Sequence, residues 1–333
     1  MKPTLAITMG DPAGVGPEIV VKVLSSRHID HARVFVVGDV PSLRRAMNET
    51  GCELTFTPID SVDAIDGCEG IPILEPVDVD HSQVTTGRVS AEAGRAAVGF
   101  FECAVDLALS GEIQGVVTCP INKAAVHAAG FVGDIGHQEI LARKTGSSLT
   151  ATMLMTEGLK VAHLSTHKSL AKAVQYVRQP VLMDKLRLTV DSLNGWCGER
   201  DQVPRVAVAA LNPHGGEEGM LGREEIDEIA PAVAQLQSEG LDVVGPYPAD
   251  SIFYRATAGE FDAVLALYHD QGHIAVKVHN FEDSITATMG IPFVRTSVDH
   301  GTAFDIAGQN KANENGLVRA LGAAVDMVNG RLD

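Results

Sequence analysis

Short apolar runs alternate with longer amphipathic stretches along most of this 333-residue chain. The apolar runs predict buried strands at 5–8, 34–37, 115–118, 161–164, 206–210 and 263–267. The amphipathic stretches predict helices over 90–110, 223–239 and 317–328. Because alternating strands and helices are typical of folds built on a largely parallel sheet, the pattern predicts an α/β fold.

The charge of the chain limits its partners. A formal net charge of −17 repels nucleic acid and anionic membranes, so we expect neither as a partner. An anionic substrate must then be met by a local group of lysine, arginine or metal. The five cysteines are far apart and predict free thiols in a reducing compartment. No apolar signal segment or membrane span is visible, so a cytoplasmic location is expected.

The length suggests two domains or one large domain. No low-complexity linker and no internal repeat marks a boundary. Two segments, 130–136 and 291–296, are the best candidates for crossings between domains. We therefore predict an outer domain made of residues 1–135 and 292–333, with residues 136–291 inserted as a second domain.

Three of the twelve histidines follow predicted strands, namely His167, His214 and His269. In open α/β sheets the loops after the carboxyl ends of strands build the site. Three imidazoles there suit a divalent ion with one position left for substrate, although each alone also fits a structural role. The pair of His269 and His273 has the spacing of a helical zinc site. We reject a metalloprotease, because Gly272 intervenes and a strand precedes.

Two further segments predict ligand contacts. Residues 10–18, G-D-P-A-G-V-G-P-E, link a strand to a helix and fit either an anion-binding loop or a tight turn. They match neither a P-loop nor a dinucleotide fingerprint. Residues 296–313 are rich in small and hydrogen-bonding side chains and predict an ordered ligand loop. Lys277 and Arg295 are candidates for binding a phosphate or carboxylate.

Together these motifs resemble the 4-hydroxythreonine-4-phosphate dehydrogenase (PdxA) family of vitamin B6 biosynthesis. The resemblance runs nearly end to end. Its motifs are residues 10–18, P-I-N-K (120–123), G-H-Q-E (136–139), N-P-H (212–214), Y-H-D-Q-G (268–272) and R-T-S-V-D-H-G-T-A (295–303). It implies an α/β, two-domain fold like that of isocitrate and isopropylmalate dehydrogenases, with mostly parallel sheets and a cleft between domains. In that fold the outer domain binds the cofactor, and the inserted domain carries the substrate, metal and dimer contacts.

The resemblance also implies site residues. The family's metal ligands fall on His167, His214 and His269, and the ion (zinc, or magnesium, cobalt or manganese) is shared across a homodimer. The implied substrate-binding residues are His137, Gln138, Lys277, Thr286 and Arg295. Acidic residues near the site fall on Asp250 and Asp270, which with a bound water are the candidates for the base. Lys277 is a further catalytic candidate.

Residues 296–313 are similar to the adenosine loop of isopropylmalate and isocitrate dehydrogenases. The implied cofactor-binding residues are Gly301, Thr302, Ala303, Asp305, Ile306 and Asn313. Members with Asp-Ile at the position of Asp305 and Ile306 use NAD. A carboxylate there accepts hydrogen bonds from a ribose hydroxyl and repels a 2′-phosphate, so NAD is the expected cofactor.

Two departures from the family pattern affect the substrate. Gln138 replaces the usual threonine, and Thr286 replaces the usual asparagine. The expected reaction is the metal-dependent oxidation of a small anionic hydroxy acid by NAD, with or without decarboxylation. 4-Phosphohydroxy-threonine is one expected substrate, and 4-phosphoerythronate, 4-phosphothreonate and an aromatic dihydrodiol dicarboxylate are alternatives. Alternatives from other classes are a metal-dependent hydrolase and a non-catalytic binding protein.

Overall fold

The computed structural model describes residues 2–26, 31–133, 136–198 and 203–332. Its strands are β1 (Thr4–Thr8), β2 (Arg33–Val37), β3 (Phe56–Pro58), β4 (Ile71–Leu74), β5 (Gly115–Thr118), β6 (Ala151–Thr156), β7 (Leu159–His163), β8 (Val206–Ala209), β9 (Val243–Tyr247), β10 (Ala263–Ala266), β11 (Ile285–Met289) and β12 (Val294–Val298). All six strands predicted from apolar runs are present.

The α-helices are α1 (Gly16–Ser25), α2 (Val40–Thr50), α3 (Ala91–Leu109), α4 (Lys123–Ala128), α5 (His137–Thr145), α6 (Leu170–Tyr176), α7 (Gln179–Cys197), α8 (Ala230–Ser238), α9 (Ala249–Thr257), α10 (His269–His279) and α11 (Asn315–Val328). The helix predicted over 223–239 begins instead with a π-helical turn, Glu225–Ile229, which leads into α8. Within the described residues, no helix combines the length and apolar character needed to span a membrane.

The chain forms two compact units. Unit 1 contains Met1–Thr150 and Ile291–Asn329, and unit 2 contains Ala151–Gly290 and Gly330–Asp333. The predicted crossing at 130–136 includes residues 134 and 135, which lie outside the described residues. Because α5 packs on α3, residues 136–150 belong to unit 1 and not to the inserted part. The Leu332 N–H donates to the Trp196 carbonyl at 3.1 Å, which places the last residues with unit 2.

Unit 1 is built on a parallel sheet in the order β3-β4-β2-β1-β5-β12. Strands β1 and β5 are buried along their whole length, which explains why they read as continuous apolar runs. Helix α3 is capped by Ser90, whose hydroxyl accepts the Ala93 N–H at 3.1 Å, and it buries Phe100 and Phe101 completely. Each such side chain contributes about 1.5–3 kcal/mol of burial free energy.

Unit 2 has a mixed sheet in the order β11-β6-β7-β10-β8-β9. Strands β7, β10, β8 and β9 run parallel, whereas β6 is antiparallel to both β7 and β11. The core of this unit includes Leu154, Val161, Ile252 and Val264, all fully buried. The carboxyl ends of three parallel strands, β7, β10 and β8, therefore meet at one edge of unit 2.

Candidate functional site

The three predicted metal ligands lie at that edge of unit 2. His167 follows β7, His269 follows β10 and His214 follows β8, and these strands are neighbours in the sheet. The buried Gln271 side chain joins two of the strand ends. Its amide oxygen accepts the Leu267 N–H and its amide nitrogen donates to the Ala210 carbonyl, both at 2.7 Å. The topology thus brings together three segments that the sequence shows only as strand ends.

The His269 imidazole is held on two sides. Its Nδ1 lies 2.7 Å from Asp270 Oδ1, and its ring stacks on His273 with centroids 3.7 Å apart. His273 Nδ1 lies 3.1 Å from both the His269 carbonyl oxygen and His163 Nε2. Because a carbonyl can only accept, His273 Nδ1 carries the proton and His163 Nε2 accepts. Burial, with the His273 and His269 rings, lowers the pKa of His163 to about 3, so it is neutral at physiological pH.

His214 lies in a left-handed turn. All residues from 214 to 218 have positive φ, including three that are not glycine, His214 (54°), Glu217 (47°) and Glu218 (55°). This conformation costs about 1–2 kcal/mol for each such residue. The turn brings Glu217 Oε1 to 2.7 Å from His214 Nδ1. A strained backbone of this kind is typical of functional segments.

Glu225 stabilises the segment that carries His214. This buried carboxylate accepts the N–H groups of Leu211 and Asn212 at 2.8 and 2.7 Å, and its second oxygen accepts the Asn212 side-chain amide at 2.9 Å. Glu225 is the first residue of the π-helical turn, a feature often found at functional sites. These hydrogen bonds offset part of the backbone strain that follows.

The donor set fits a divalent ion in its chemistry. Metal-bound imidazoles usually donate their second ring N–H to a carboxylate, which leaves the other nitrogen for the metal. His214 and His269 each have that arrangement, with Glu217 and Asp270 at Nδ1. His167 is exposed. Among the described residues of one chain, no three histidine, cysteine or acidic side chains lie close enough to hold an ion.

The predicted base candidates differ in their surroundings. Asp270 is already engaged by His269. Asp250 is exposed in the first turn of α9. Of the two predicted substrate residues in unit 2, Lys277 donates to Ser284 Oγ at 2.9 Å, and Thr286 is a half-buried residue of β11. Both carboxylates are exposed, and Asp270 is the one that a predicted metal ligand already contacts.

The other predicted substrate residues lie in unit 1. Arg295, on β12, is buried and donates from Nη2 to Thr118 Oγ1 at 2.6 Å. His137 begins α5 and meets the edge of the Phe101 ring, with ring centroids 4.5 Å apart. Its Nε2 is buried and has no hydrogen-bond partner among the described residues. Gln138 follows it on the helix and is half-buried.

The protonation states of Arg295 and His137 favour the binding of an anion. Burial lowers the pKa of Arg295 to about 9, which still leaves the guanidinium charged at neutral pH. Burial, followed by the charge of Arg295, lowers the pKa of His137 well below its usual range, so that imidazole is neutral. A neutral imidazole can donate one hydrogen bond while the guanidinium supplies the charge. The arrangement suits a phosphate or carboxylate in a chain that is otherwise strongly acidic.

The predicted cofactor residues form a loop over residues 301–313, here called the late loop. Its two ends are fixed on the first motif, because Val15 N–H donates to the Thr302 carbonyl at 3.0 Å and Glu18 accepts the Ala312 N–H at 2.8 Å. Asp305 and Asn313 are exposed. The loop therefore has anchored ends and presents its predicted ribose and adenine contacts to solvent.

The first motif has a structural role in this arrangement. The N–H groups of Asp11, Ala13, Gly14 and Val15 all donate to protein oxygens: those of Pro120, the Asp11 carboxylate, the Asp11 carbonyl and Thr302. Such N–H groups are not available to cradle an anion. Of the two sequence interpretations, the structure shows the tight turn.

A family comparison agrees with these features. The model of the family described as pyridoxal phosphate biosynthetic protein PdxA matches residues 30–324. This chain belongs to the PdxA family. The D-threonate 4-phosphate dehydrogenase of Pectobacterium atrosepticum is 39% identical to it, over 98% of this chain and 100% of that protein. The chain is accordingly a dehydrogenase, as predicted.

Solved structures support the same assignment. The 4-hydroxythreonine-4-phosphate dehydrogenase of Klebsiella pneumoniae superposes with a TM-score of 0.88 at 38% identity, covering 98% of this chain and 99% of that one. A terephthalate 1,2-cis-dihydrodiol dehydrogenase from Burkholderia xenovorans LB400 is less similar, with a TM-score of 0.66, 29% identity and 95% of each chain covered. The predicted fold class is confirmed.

Sequence reasoning missed the residues that hold the site in place. His163, Lys22 and Glu225 were not singled out, Glu18 was named only as part of the first motif, and His273 was considered only as a metal ligand. Each acts on a residue distant in sequence, so no local spacing identifies it. The sequence offered one signal of such a role, because Glu18 is an acidic residue of the first motif to which no ligand role was assigned.

Proposed function

We propose that the chain oxidises a 4-phosphorylated four-carbon hydroxy acid with NAD. The observation that carries the proposal is the buried Arg295 guanidinium beside the unpartnered His137 Nε2 in a chain of net charge −17. The names of the two similar enzymes above agree with it, since D-threonate 4-phosphate and 4-hydroxythreonine-4-phosphate share a four-carbon acid and a terminal phosphate. The lower similarity of the dihydrodiol enzyme makes an aromatic substrate the weaker alternative.

A divalent ion is part of the proposal. His167, His214 and His269 would hold it, and zinc, magnesium, cobalt or manganese would each supply a positive charge that favours ionisation of the reacting hydroxyl. Glu217 and Asp270 fix the Nδ1 side of two of these imidazoles, so that Nε2 faces the site. Asp250 or a water would accept the hydroxyl proton, and NAD, when bound, would supply the hydride acceptor.

Each unit carries residues that are proposed to contact the substrate. In unit 1, Arg295, His137 and Gln138 are the proposed contacts, and in unit 2 they are Lys277 and Thr286. A fixed guanidinium or ammonium on the phosphate orients the carbon that reacts. Gln138 is the side chain that we expect to distinguish the two acids, which differ in carrying a hydroxyl or an amino group at the second carbon.

NAD binding is proposed for the late loop. The exposed Asp305 carboxylate accepts hydrogen bonds from the ribose hydroxyls and repels the 2′-phosphate of NADP. Gly301, Thr302, Ala303 and Ile306 shape the loop, in which Ala303 has a left-handed φ of 42°. Asn313 contacts the adenine.

A homodimer completes the proposal. On one face of α10, Ile274 and Val278 are 60% and 82% exposed, and Phe281, just after the end of the helix, is 70% exposed. An apolar stripe of this kind is typical of an interface. It begins on the helix that starts with His269, and one copy holds no complete ligand set among its described residues. Both observations agree with an ion shared between subunits.

The test is NADH formation with Zn²⁺, Mg²⁺, Co²⁺ or Mn²⁺ on both phosphorylated acids, 4-phosphoerythronate and a dihydrodiol dicarboxylate. We expect turnover with a phosphorylated acid and NAD, and little with NADP. The His214→Ala variant should lose activity and metal binding, whereas unchanged turnover in metal-free buffer would refute the metal role. Absence of turnover with every acid would support a binding protein. The hydrolase alternative has no observation in its favour.

A further inference from the structure

An ion pair at the start of the chain contacts the far end of the late loop. Glu18 and Lys22 are one turn apart on α1, with Lys22 Nζ 2.9 Å from Glu18 Oε1. The same Glu18 oxygen accepts the Ala312 N–H at 2.8 Å, and Lys22 Nζ donates to the Ala312 carbonyl at 2.7 Å. Both backbone groups of one loop residue are therefore held by one ion pair.

The surroundings make this contact strong. Glu18 is only 2% exposed and Lys22 is largely covered, so solvent screens the pair little. Hydrogen bonds to a charged partner are about twice as strong as neutral ones. Glu18 Oε2 has no hydrogen-bond partner among the described residues, so a single oxygen carries both contacts.

The clamp formed by Glu18 and Lys22 acts next to the proposed cofactor contacts. Ala312 directly precedes Asn313, and the loop between the anchors at Thr302 and Ala312 carries Asp305. The exposed side chains of Asp305 and Asn313 are both far from Glu18 and Lys22 in sequence. Without the second anchor, the loop would have to be ordered by the cofactor itself, and the free energy of ordering would reduce the affinity.

We infer that Glu18 and Lys22 are positioning residues, which hold the late loop in the conformation that binds the adenosine half of NAD. Neither residue is among the proposed contacts to the substrate or the reacting atoms. This inference rests on the proposed use of NAD. The inference extends that proposal, because it assigns the preorganisation of the late loop to two side chains that lie about 290 positions away from Ala312 in sequence.

The test compares Glu18→Gln and Lys22→Gln with the wild-type enzyme. If the loop then occupies its binding conformation about one tenth of the time, the KM for NAD rises about tenfold. The kcat at saturating NAD and the KM for the phosphorylated acid should stay within about twofold, since the chemistry is untouched. Hydrogen exchange of backbone amides in 304–314 should become faster in both variants, with unit 2 unchanged.

A matched control exists in the same unit. Glu92 also pairs with a basic residue on its own helix, Arg95, and also accepts a distant backbone N–H, that of Asp80 at 2.8 Å. Glu92→Gln should leave the KM for NAD unchanged. A rise no larger than in this control, or an equal loss of kcat and of acid affinity, would overturn the inference and indicate a general stabilising role.

Failure of the proposed function can be distinguished from failure of this inference. If the wild-type enzyme forms no NADH from any acid, NAD binding is measured by calorimetry in the same three variants. The inference then predicts the same tenfold loss of affinity in the two clamp variants and none in Glu92→Gln. Absence of NAD binding to the wild type, or unchanged exchange of the loop amides, contradicts it.

Discussion

At the scale of single residues, Asp11 shows how a side chain can be structurally useful and electrostatically costly. It is buried at the start of the first motif, where Oδ1 accepts the Ala13 N–H at 2.8 Å. Its second oxygen has no hydrogen-bond partner among the described residues. Burial raises the pKa of Asp11 from 3.8 to about 6, although the Ala13 N–H opposes this change.

The raised pKa of Asp11 predicts a pH-dependent stability. Between the unfolded and folded pKa values the folded state binds more protons, so the Asp11 contribution to stability falls as pH rises through that window. The free energy of unfolding then falls by up to about 1.4 kcal/mol for each pH unit crossed. We expect Asp11→Asn to gain stability relative to wild type from acid to neutral pH, measured by thermal unfolding. A difference in stability that stays constant across that range would contradict the assignment.

Arg295 gives a prediction about the substrate. Lysine keeps a charge but loses the planar fork and the bond to Thr118. We expect Arg295→Lys to raise the KM for the phosphorylated acid about tenfold or more, since a charge-assisted hydrogen bond contributes about 1.5–3 kcal/mol. The KM for NAD should not change. Steady-state kinetics decide, with the exposed Arg44→Lys as control, and equal effects on both KM values would refute the role.

At the scale of elements, the strands were predictable and several of their relations were not. Strands such as β1 and β5 are buried on both faces, so they appear in the sequence as uninterrupted apolar runs. Strands β6 and β11 pair antiparallel in unit 2 and are almost entirely buried, but their threonines interrupt the apolar run in the sequence. The tight turn of the first motif depends on the distant acceptors Pro120 and Thr302, which no local pattern reveals.

The left-handed turn after β8 gives an element-scale prediction. Glu218 has a φ of 55°, a region that glycine adopts freely and a β-branched residue avoids. We expect Glu218→Val to lower the free energy of unfolding by about 1–2 kcal/mol, with Glu218→Gly close to neutral. Denaturant unfolding measures both. Equal stabilities for the two variants would show that the turn relaxes without strain.

The exposed apolar residues on α10 and just after it allow a test of the proposed homodimer. A charge buried in an apolar interface is strongly unfavourable, so Val278→Asp and Phe281→Asp should each convert the proposed dimer to monomer. Light scattering on a sizing column measures the mass, and metal content and NADH formation should fall with it. Leu109→Asp, on an exposed position of α3, is the control and should remain dimeric. An unchanged mass in both stripe variants would exclude this face as the interface.

At the scale of the whole molecule, the residues proposed to bind NAD and those proposed to bind the metal fall in different units. The late loop belongs to unit 1 and the three histidines belong to unit 2. The ligand roles of these residues stay predictions, whereas the division between the units lies after Thr150 and not at the predicted crossing at 135. The segment after it forms a helix that packs on α3, a tertiary contact without a sequence signature.

This division predicts separable ligand effects. Binding stabilises the folded state by about 2.7 kcal/mol at a ligand concentration of about one hundred times Kd. NAD alone should slow hydrogen exchange in unit 1, and Zn²⁺ alone should slow it in unit 2. Asp305→Lys should lose the first effect and keep the second. Protection of unit 2 by NAD in the Asp305→Lys variant would contradict the assignment of the late loop.

The return of the chain to unit 1 has a consequence for its synthesis. Strand β12, which pairs with β5, emerges from the ribosome only after the whole of Ala151–Gly290 has been made. Domains generally fold as units while translation proceeds. We therefore expect the middle of the nascent chain to collapse before its beginning can finish folding. Until then the growing polypeptide exposes an open edge of β5 that chaperones would have to shield.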